Sequence, residues 1–185
     1  IASAIRVKFT PQQRARLASP LPVNSEAYQN YLKGRYQLNR RDLASMQHGL
    51  DYFGRAVSAD PNFALAYVGI ADTYHLLGFY SALPPTQAYP EAKKAARKAL
   101  SLDDSLAEAY TTLADVQFHY EYDWKAAEQG FRSAIQRNPN YPVAHHWYAV
   151  LLALSGRSAE SLTEMEHASK LDPASLAITG DMALH

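Results

Sequence analysis

Cysteine is absent from the 185 residues of this chain. Disulfide bonds and thiolate metal sites are therefore excluded. An excess of either charge is missing as well, since 18 lysines and arginines balance 18 aspartates and glutamates. A surface without a basic excess argues against nucleic acid and against an anionic membrane as binding partners.

Long apolar runs are also missing. No stretch is long enough to span a bilayer, and no secretory signal is recognisable. The lack of cysteine leaves the redox compartment open, and the cytoplasm is the compartment that we expect. Because the chain starts at Ile1 instead of methionine, we expect it to be a piece of a longer protein.

A short pattern occurs four times along the chain. Each copy closes with a dipeptide of two turn-forming residues, and the last residues of these dipeptides are Pro61, Asp104, Pro139 and Pro173. Alanine stands five residues before each of them, and a small residue stands twelve before. The copies end 43, 35 and 34 residues apart, so one copy carries about nine extra residues.

The small residues in these columns have a physical role. Two helices can approach closely only where their facing side chains are short, and alanine permits this without the helix cost of glycine. One pair of short helices has no core of its own and leaves an apolar face open. The pattern therefore predicts helix pairs that must stack on one another.

A period of 34 residues with helix–turn–helix content resembles the tetratricopeptide (TPR) repeat. The first helix of that repeat favours a large residue, a leucine followed by a small residue, and an aromatic. The matching residues here are Tyr31, Gly34 and Tyr36, then Tyr67, Ile70, Ala71 and Tyr74, then Tyr110, Leu113 and Ala114, then His145, Tyr148, Ala149 and Leu152. The resemblance implies an all-α fold, a right-handed α-solenoid of antiparallel helix pairs.

The repeat also divides the chain. We expect residues 1–22 to form a lead segment with a short helix and a proline linker. Residues 23–173 are expected to form four helix pairs (about 24–61, 62–104, 105–139 and 140–173), and residues 174–185 to begin a fifth unit or form a capping helix. The extra residues fall in 78–86, an apolar loop that we expect to fold back and pack. Asn24 or Ser25 is expected to cap the first repeat helix, and Asp123 the second helix of the third pair.

We expect the last helix to cover the fourth pair. Its predicted apolar contacts are Leu176, Ile178, Met182 and Leu184.

The resemblance further implies that the first helix of each pair lines a concave groove. Aromatic and charged side chains along such a concavity suit an extended or helical peptide. The groove positions that follow are Tyr28, Tyr31, Arg35, Leu38, Val68, Asp72, His75, Glu108, Thr111, Asp115, Phe118, His119, His146 and Val150.

One branch of the family grips a C-terminal carboxylate with a clamp of lysines, asparagines and an arginine. The corresponding positions here hold Tyr31, Arg35, Gly69, Glu108 and Thr112. Arg35 alone has a suitable side chain, and Glu108 has the wrong charge. Capture of a chaperone tail in that manner is therefore not expected.

Two helical spacings raise the alternative of a metal site. Asp72 and His75 are three residues apart, and Asp115 and His119 are four apart, so each pair shares a helix face and could present ligands to zinc or nickel. No thiolate is available and nothing in the sequence fixes a complete coordination shell, so we predict no metal and no cofactor.

No catalytic site is apparent either. The sequence offers no strand–turn–helix setting for a nucleophile, and its glycines lack the spacing of phosphate-binding loops. We therefore do not expect an enzyme.

The sequence thus favours a protein-interaction module that docks a peptide or helix of a partner protein. The runs at 24–28 and 31–36, the proline loop at 84–85 and the turn at 123–124 resemble the TPR regions of multidomain bacterial regulators. Those regions follow TolB-like segments and carry winged-helix, adenylate cyclase or kinase heads. Two alternatives stay open: a ligand-sensing segment of such a regulator, and weak self-assembly through the solenoid end.

Overall fold

A computed structural model describes residues 24–182, and within that range it contains helices and no strands. The helices are α1 (Ser25–Asn39), α2 (Leu43–Ala59), α3 (Ala64–Phe79), α4 (Pro85–Leu102), α5 (Ala107–His119), α6 (Trp124–Arg137), α7 (Pro142–Leu154), α8 (Ser158–Leu171) and α9 (Leu176–Met182). None of these helices is both long enough and apolar enough to cross a bilayer. The lead segment expected at residues 1–22 lies outside the described range.

Consecutive helices form four antiparallel pairs, α1–α2, α3–α4, α5–α6 and α7–α8. The first helix of each pair also packs against the first helix of the next, so α1, α3, α5 and α7 lie side by side. The second helices lie on the outside of this row, and the pairs wind into a right-handed superhelix. The predicted all-α solenoid is confirmed.

The small residues of the repeated pattern lie where pairs meet. Ala56, Ala99, Ala134 and Ala168 are all completely buried. The residues eight positions before the end of each copy also point inward, and the large ones among them, Phe53, Phe131 and Met165, have no exposed surface. Short side chains therefore set the spacing between helices, and the large ones fill the space that remains.

The ring of Phe53 makes the tightest use of this spacing. It lies between α1 and α3 at two positions where a side chain is missing, Gly34 and Gly69. A Cβ atom added at Gly34 would lie 2.6 Å from the ring. Glycine here serves close packing, since both residues have ordinary helical backbone.

Side chains cap the N-termini of several helices by accepting hydrogen bonds from backbone amides. The Asn24 side chain accepts hydrogen bonds from the amides of Glu26 and Ala27, so Asn24 and not Ser25 caps α1. Asp123 accepts from the amide of Ala126 and caps α6, as the sequence predicted.

Most of the nine extra residues lengthen helices and do not form a loop. Helix α3 continues to Phe79 and α4 begins at Pro85, which leaves only a short connection. Leu83 packs against the core cluster around Leu38 and Leu77, as expected. Tyr80 is 48% exposed, so the expected burial of the whole segment was wrong for this residue.

The turn inside each helix pair contains one residue with a left-handed backbone. These residues are Arg41, Ser81, Tyr122 and Gly156, with φ angles of 56°, 55°, 56° and 76°. Only the fourth pair uses glycine, the residue that adopts this conformation without steric cost.

The apolar contact of helix α9 with the fourth pair is made by Ile178. Ile178 is 2% exposed and lies against Ala149, Met165 and Ala168. Leu176 is 89% exposed, so its predicted apolar contact is wrong. The side chains of Met182 and Leu184 lie outside the described residues.

A polar network joins the third pair to the fourth. Glu128 Oε1 accepts from Arg157 Nη1 at 2.8 Å, from Arg132 Nη2 at 2.8 Å and from the Tyr148 hydroxyl at 3.0 Å. The hydrogen bond from Arg157, together with those from Tyr148 and Arg132, lowers the pKa of Glu128 against the opposing effect of burial.

The close approach of Phe53 predicts opposite effects at two helical glycines. Gly69→Ala should lower the free energy of unfolding by about 1–3 kcal/mol, because the ring of Phe53 must move. Gly54→Ala is the matched control, since nothing lies within 4 Å of an added Cβ there. It should be neutral or stabilising by up to about 1 kcal/mol. Urea denaturation of both variants checks this, and equal effects would contradict the proposed packing.

The Glu128 network predicts a stabilisation that depends on pH. A carboxyl whose pKa is lowered on folding stabilises the protein above its ordinary pKa and stops doing so as the pH falls through the folded value. Glu128→Gln should therefore cost about 1 kcal/mol at neutral pH. The difference in the free energy of unfolding between Glu128→Gln and the unmodified chain should shrink as the pH falls below 4.5, the ordinary pKa of a glutamate.

Thermal unfolding across this pH range measures the effect of Glu128→Gln. Glu166→Gln is the control, because Glu166 forms only an exposed pair with Lys170 on the same helix. It should change stability by less than about 0.5 kcal/mol. A loss in Glu128→Gln that stays constant down to acid pH would contradict the prediction.

Candidate interaction groove

The first helices enclose a cavity of about 360 Å³ on the concave side of the solenoid. Seven predicted groove residues line it: Arg35, Leu38, Asp72, His75, Thr111, Asp115 and His146. Helices α1, α3, α5 and α7 all contribute to this list, so the cavity crosses every pair of the array.

An ion pair and a hydrogen bond join three first helices at the cavity wall. Arg35 Nη1 on α1 lies 2.9 Å from Asp72 Oδ2 on α3. The Thr112 hydroxyl on α5 donates to the other oxygen of Asp72 at 2.8 Å. Desolvation is the largest single effect and lowers the pKa of Arg35, but Asp72 together with Tyr31 and Tyr141 outweighs it, so that the pKa is raised. Asp72 is thus the centre of a bridge across three repeats.

A second polar group lies further along the cavity. Asp115, which is 1% exposed, contacts His75 of α3 and lies 3.0 Å from Nδ1 of His119 on its own helix. Burial alone would raise the pKa of Asp115, but the charge of His75 and the approach of both imidazoles hold it well below its usual range. Burial lowers the pKa of His119, and Asp115 more than compensates, so that pKa is raised.

Helix α9 is tied to the groove by a third contact. His146 Nε2 on α7 lies 2.7 Å from Asp181 Oδ2. Ser175, Ala177 and Ile178 also line the cavity. The segment that follows the fourth pair therefore closes one side of the groove.

Two tyrosines of α1 and the phenylalanine that precedes α3 form an aromatic cluster. The ring of Tyr31 meets Phe63 edge-on, with 5.4 Å between centroids, and Tyr28 lies against both. Tyr28 is 45% exposed and offers an aromatic face to solvent. Burial raises the pKa of Tyr31, although Arg35 partly opposes it, and burial raises the pKa of Tyr141 strongly. Both phenols are therefore neutral hydrogen-bonding groups at physiological pH.

The predicted groove residues do not all reach the groove surface. Val68 and Phe118 belong to core clusters and are 1% and 4% exposed, so placing them on the surface was wrong. Leu38 is also core, although one side of it borders the cavity. Each first helix packs against its own partner and against one or both neighbouring pairs, so only a narrow stripe stays free.

Glu108 and Val150 are half-buried. Val150 packs against the core cluster that contains Phe118.

Solved structures with this arrangement are TPR proteins. TTC0263, a TPR protein of Thermus thermophilus, superimposes with a TM-score of 0.70 at 18% identity, over 94% of this chain and 87% of that one. The first TPR of RPAP3, bound to the HSP90 peptide SRMEEVD, gives a TM-score of 0.55 at 16% identity, over 72% of this chain and 95% of that one. The fold is that of the tetratricopeptide repeat.

The sequence is also similar to part of a transcriptional regulator. The chain is 27% identical over 148 residues to the transcriptional regulator HilA of Salmonella typhimurium, which is 80% of this chain and 26% of HilA. The chain therefore spans about a quarter of that protein's length. No model of a known protein family matches the sequence.

Several residues that line the TPR groove are not among the predicted ones. Trp147 borders the cavity beside His146. Tyr141 stands just before α7, and Ser175 and Ala177 come from beyond the fourth repeat. The repeat pattern describes positions within first helices, so residues that enter from turns and from α9 carry no signal in it.

The Asp72 bridge predicts energetic coupling between repeats of the TPR array. Asp72→Ala should lower the free energy of unfolding by about 1–3 kcal/mol, since Arg35 and Thr112 both lose a charged partner. Thr112→Val should cost less. The double variant should show a coupling energy of at least about 0.5 kcal/mol.

Urea denaturation of the two single variants and the double variant measures this coupling. Asp51→Ala, at an exposed position on α2, is the control and should change stability by less than about 0.5 kcal/mol. Strictly additive single effects would show that the bridge does not couple the repeats.

Proposed function

We propose that the concave groove of this TPR solenoid docks an extended peptide segment of a partner protein, and that the segment carries a carboxylate. TPR neighbours support the general role of a protein-interaction scaffold. The observation that carries the finer proposal is the cavity itself, because all four pairs line it and two arginines, Arg35 and Arg41, belong to that lining.

Arg35 is the residue that we assign to the carboxylate. Its side chain is 34% exposed, and it contacts Asp72 through Nη1. A guanidinium has five N–H donors in a planar fork, so further donors can face a ligand. Arg41 borders the same cavity and donates to the Tyr80 hydroxyl at 3.2 Å. Two arginines in the lining of one cavity favour an acidic side chain or a chain terminus as the ligand.

The aromatic surface beside Arg35 suits the rest of such a peptide. Tyr28, Tyr31 and Phe63 form a contiguous cluster with one exposed face. Tyrosine supplies apolar contact area at a low entropy cost, together with a hydroxyl for hydrogen bonds. The RPAP3 TPR is bound to the peptide SRMEEVD, which contains two glutamates and ends in an aspartate, and this agrees with the same class of ligand. The contacts to the carboxylate must differ from those in the family's carboxylate clamp, since the clamp positions hold other residue types here.

The likeness to HilA supports a setting inside a larger bacterial transcriptional regulator. In that setting the groove receives another part of the regulatory machinery, and any activity on DNA belongs to other domains.

A small-molecule ligand is a second candidate, favoured by the size of the cavity. A volume of about 360 Å³ falls within the range of small-ligand pockets. A thermal-shift screen with small carboxylic acids distinguishes the two, because a sensing site should be stabilised by a single compound and a peptide groove should not.

Selection from a peptide library tests the main proposal. The 185-residue chain, displayed against random peptides with free C-termini, should enrich sequences that carry aspartate, glutamate or a terminal carboxylate near an apolar residue. Arg35→Glu should weaken binding of the selected peptides at least about tenfold, since a buried or half-buried charge pair is reversed.

Lys125→Glu is the matched charge reversal for this selection. Lys125 lies exposed on α6, outside the groove, so its replacement should leave affinity within about twofold. Equal binding by the two variants, or selection of peptides without any acidic preference, would overturn the proposal.

A further inference from the structure

Three potential metal ligands from two repeats meet at the wall of the groove. His75 of α3, Asp115 of α5 and His119 of α5 each direct one ligand atom to a common point, and these atoms lie within 4.8 Å of one another. Asp115 and His119 are four residues apart and therefore share a helix face. His75 reaches the same point only because first helices of successive repeats lie side by side.

Hydrogen bonds do not explain why His75, Asp115 and His119 lie so close together. His75 Nε2, His119 Nδ1 and both carboxylate oxygens of Asp115 are buried, and none of the four has a hydrogen-bond partner among the described residues. His119 Nδ1 lies 3.0 Å from Asp115 Oδ1, a distance at which a hydrogen bond forms when the N–H is directed at the acceptor. The distance between His119 and Asp115 would therefore allow a hydrogen bond, but the two groups are not oriented to form one.

Buried polar atoms without partners are costly and rare in folded proteins. Two imidazole nitrogens and a carboxylate are also a ligand set that zinc accepts, with three protein ligands and an open fourth position. We propose that His75, Asp115 and His119 bind a Zn²⁺ ion that links the second repeat to the third.

The surroundings fit a site of this kind. The ring of Phe79 lies 5.5 Å from His119, and the indole of Trp147 lies 5.6 Å from His119 and 6.1 Å from His75. An apolar shell of this type limits solvent access to a bound metal. His75 and Asp115 also line the cavity, which can supply a water molecule or a partner's side chain as the fourth ligand.

The distances between the three ligand atoms are close to those in the coordination shell of a bound zinc ion. Zinc–nitrogen distances of about 2.0 Å place the ligand atoms of a tetrahedral site roughly 3.3 Å apart. His75 and Asp115 must therefore separate slightly, and the widest pair must close. Zinc in this position would hold α3 and α5 at a fixed spacing and so stiffen the centre of the groove.

Cobalt(II) is the probe for the test, because it replaces zinc and absorbs visible light when tetrahedral. The metal-free 185-residue chain is titrated with Co²⁺ at about pH 8, where protons compete least with the metal for imidazole. We expect one equivalent to bind, with a visible absorption band that Zn²⁺ abolishes. In a Trp124→Phe background the fluorescence of Trp147, then the only tryptophan, should be quenched by the same equivalent.

Variants identify the ligands. His119→Ala should weaken Co²⁺ binding by at least about a hundredfold, and circular dichroism shows whether the helices persist. Asp115→Asn should have the same effect. His48→Ala and His167→Ala are the controls: His48 is exposed on α2, and His167 lies 4.7 Å from His145 in a separate histidine pair.

The outcomes are distinct. Binding that is lost in His119→Ala and Asp115→Asn, and kept in both controls, supports the site. No saturable binding by the unmodified chain overturns it, as does equal binding by folded His119→Ala. Binding that disappears in either control also overturns it, because the ion would then lie elsewhere on the surface.

Discussion

The whole array depends on short side chains at the contacts between helices. Ala56, Ala99, Ala134 and Ala168 leave no exposed surface and let each second helix lie close to its neighbours. Since one helix pair buries only part of its apolar surface, the next pair must complete the burial. Stability is therefore distributed along the chain, and no single pair has a core that could exist alone.

This constraint also explains where polar groups occur on the concave side. First helices lie side by side, so a polar residue on one helix is within reach of the next. Asp72 joins three repeats through Arg35 and Thr112, and Asp115 lies between histidines of two repeats. The groove is thus a surface whose charged residues are already partly paired, and a partner competes with those pairs for them.

The sequence predicted the architecture far better than it predicted the site. Burial in the repeated columns follows from spacing alone, because the same contact recurs in every pair. Val68 and Phe118 occupy first-helix positions like their groove neighbours, but they turn towards the core. The meeting of His75 with Asp115 depends on how successive repeats are offset, and α9 enters from outside the repeat. Such details depend on three-dimensional packing, which a one-dimensional period does not encode.

The turns inside the helix pairs leave room for the stability of the array to increase. Arg41, Ser81 and Tyr122 hold a backbone conformation that costs side-chain-bearing residues about 1 kcal/mol, whereas Gly156 adopts it freely. Three of the four repeats thus retain an unused margin of thermostability at their tightest bends. A designer of more robust solenoids can recover that margin at Ser81 and Tyr122 without touching the groove, whereas Arg41 belongs to the lining of the cavity.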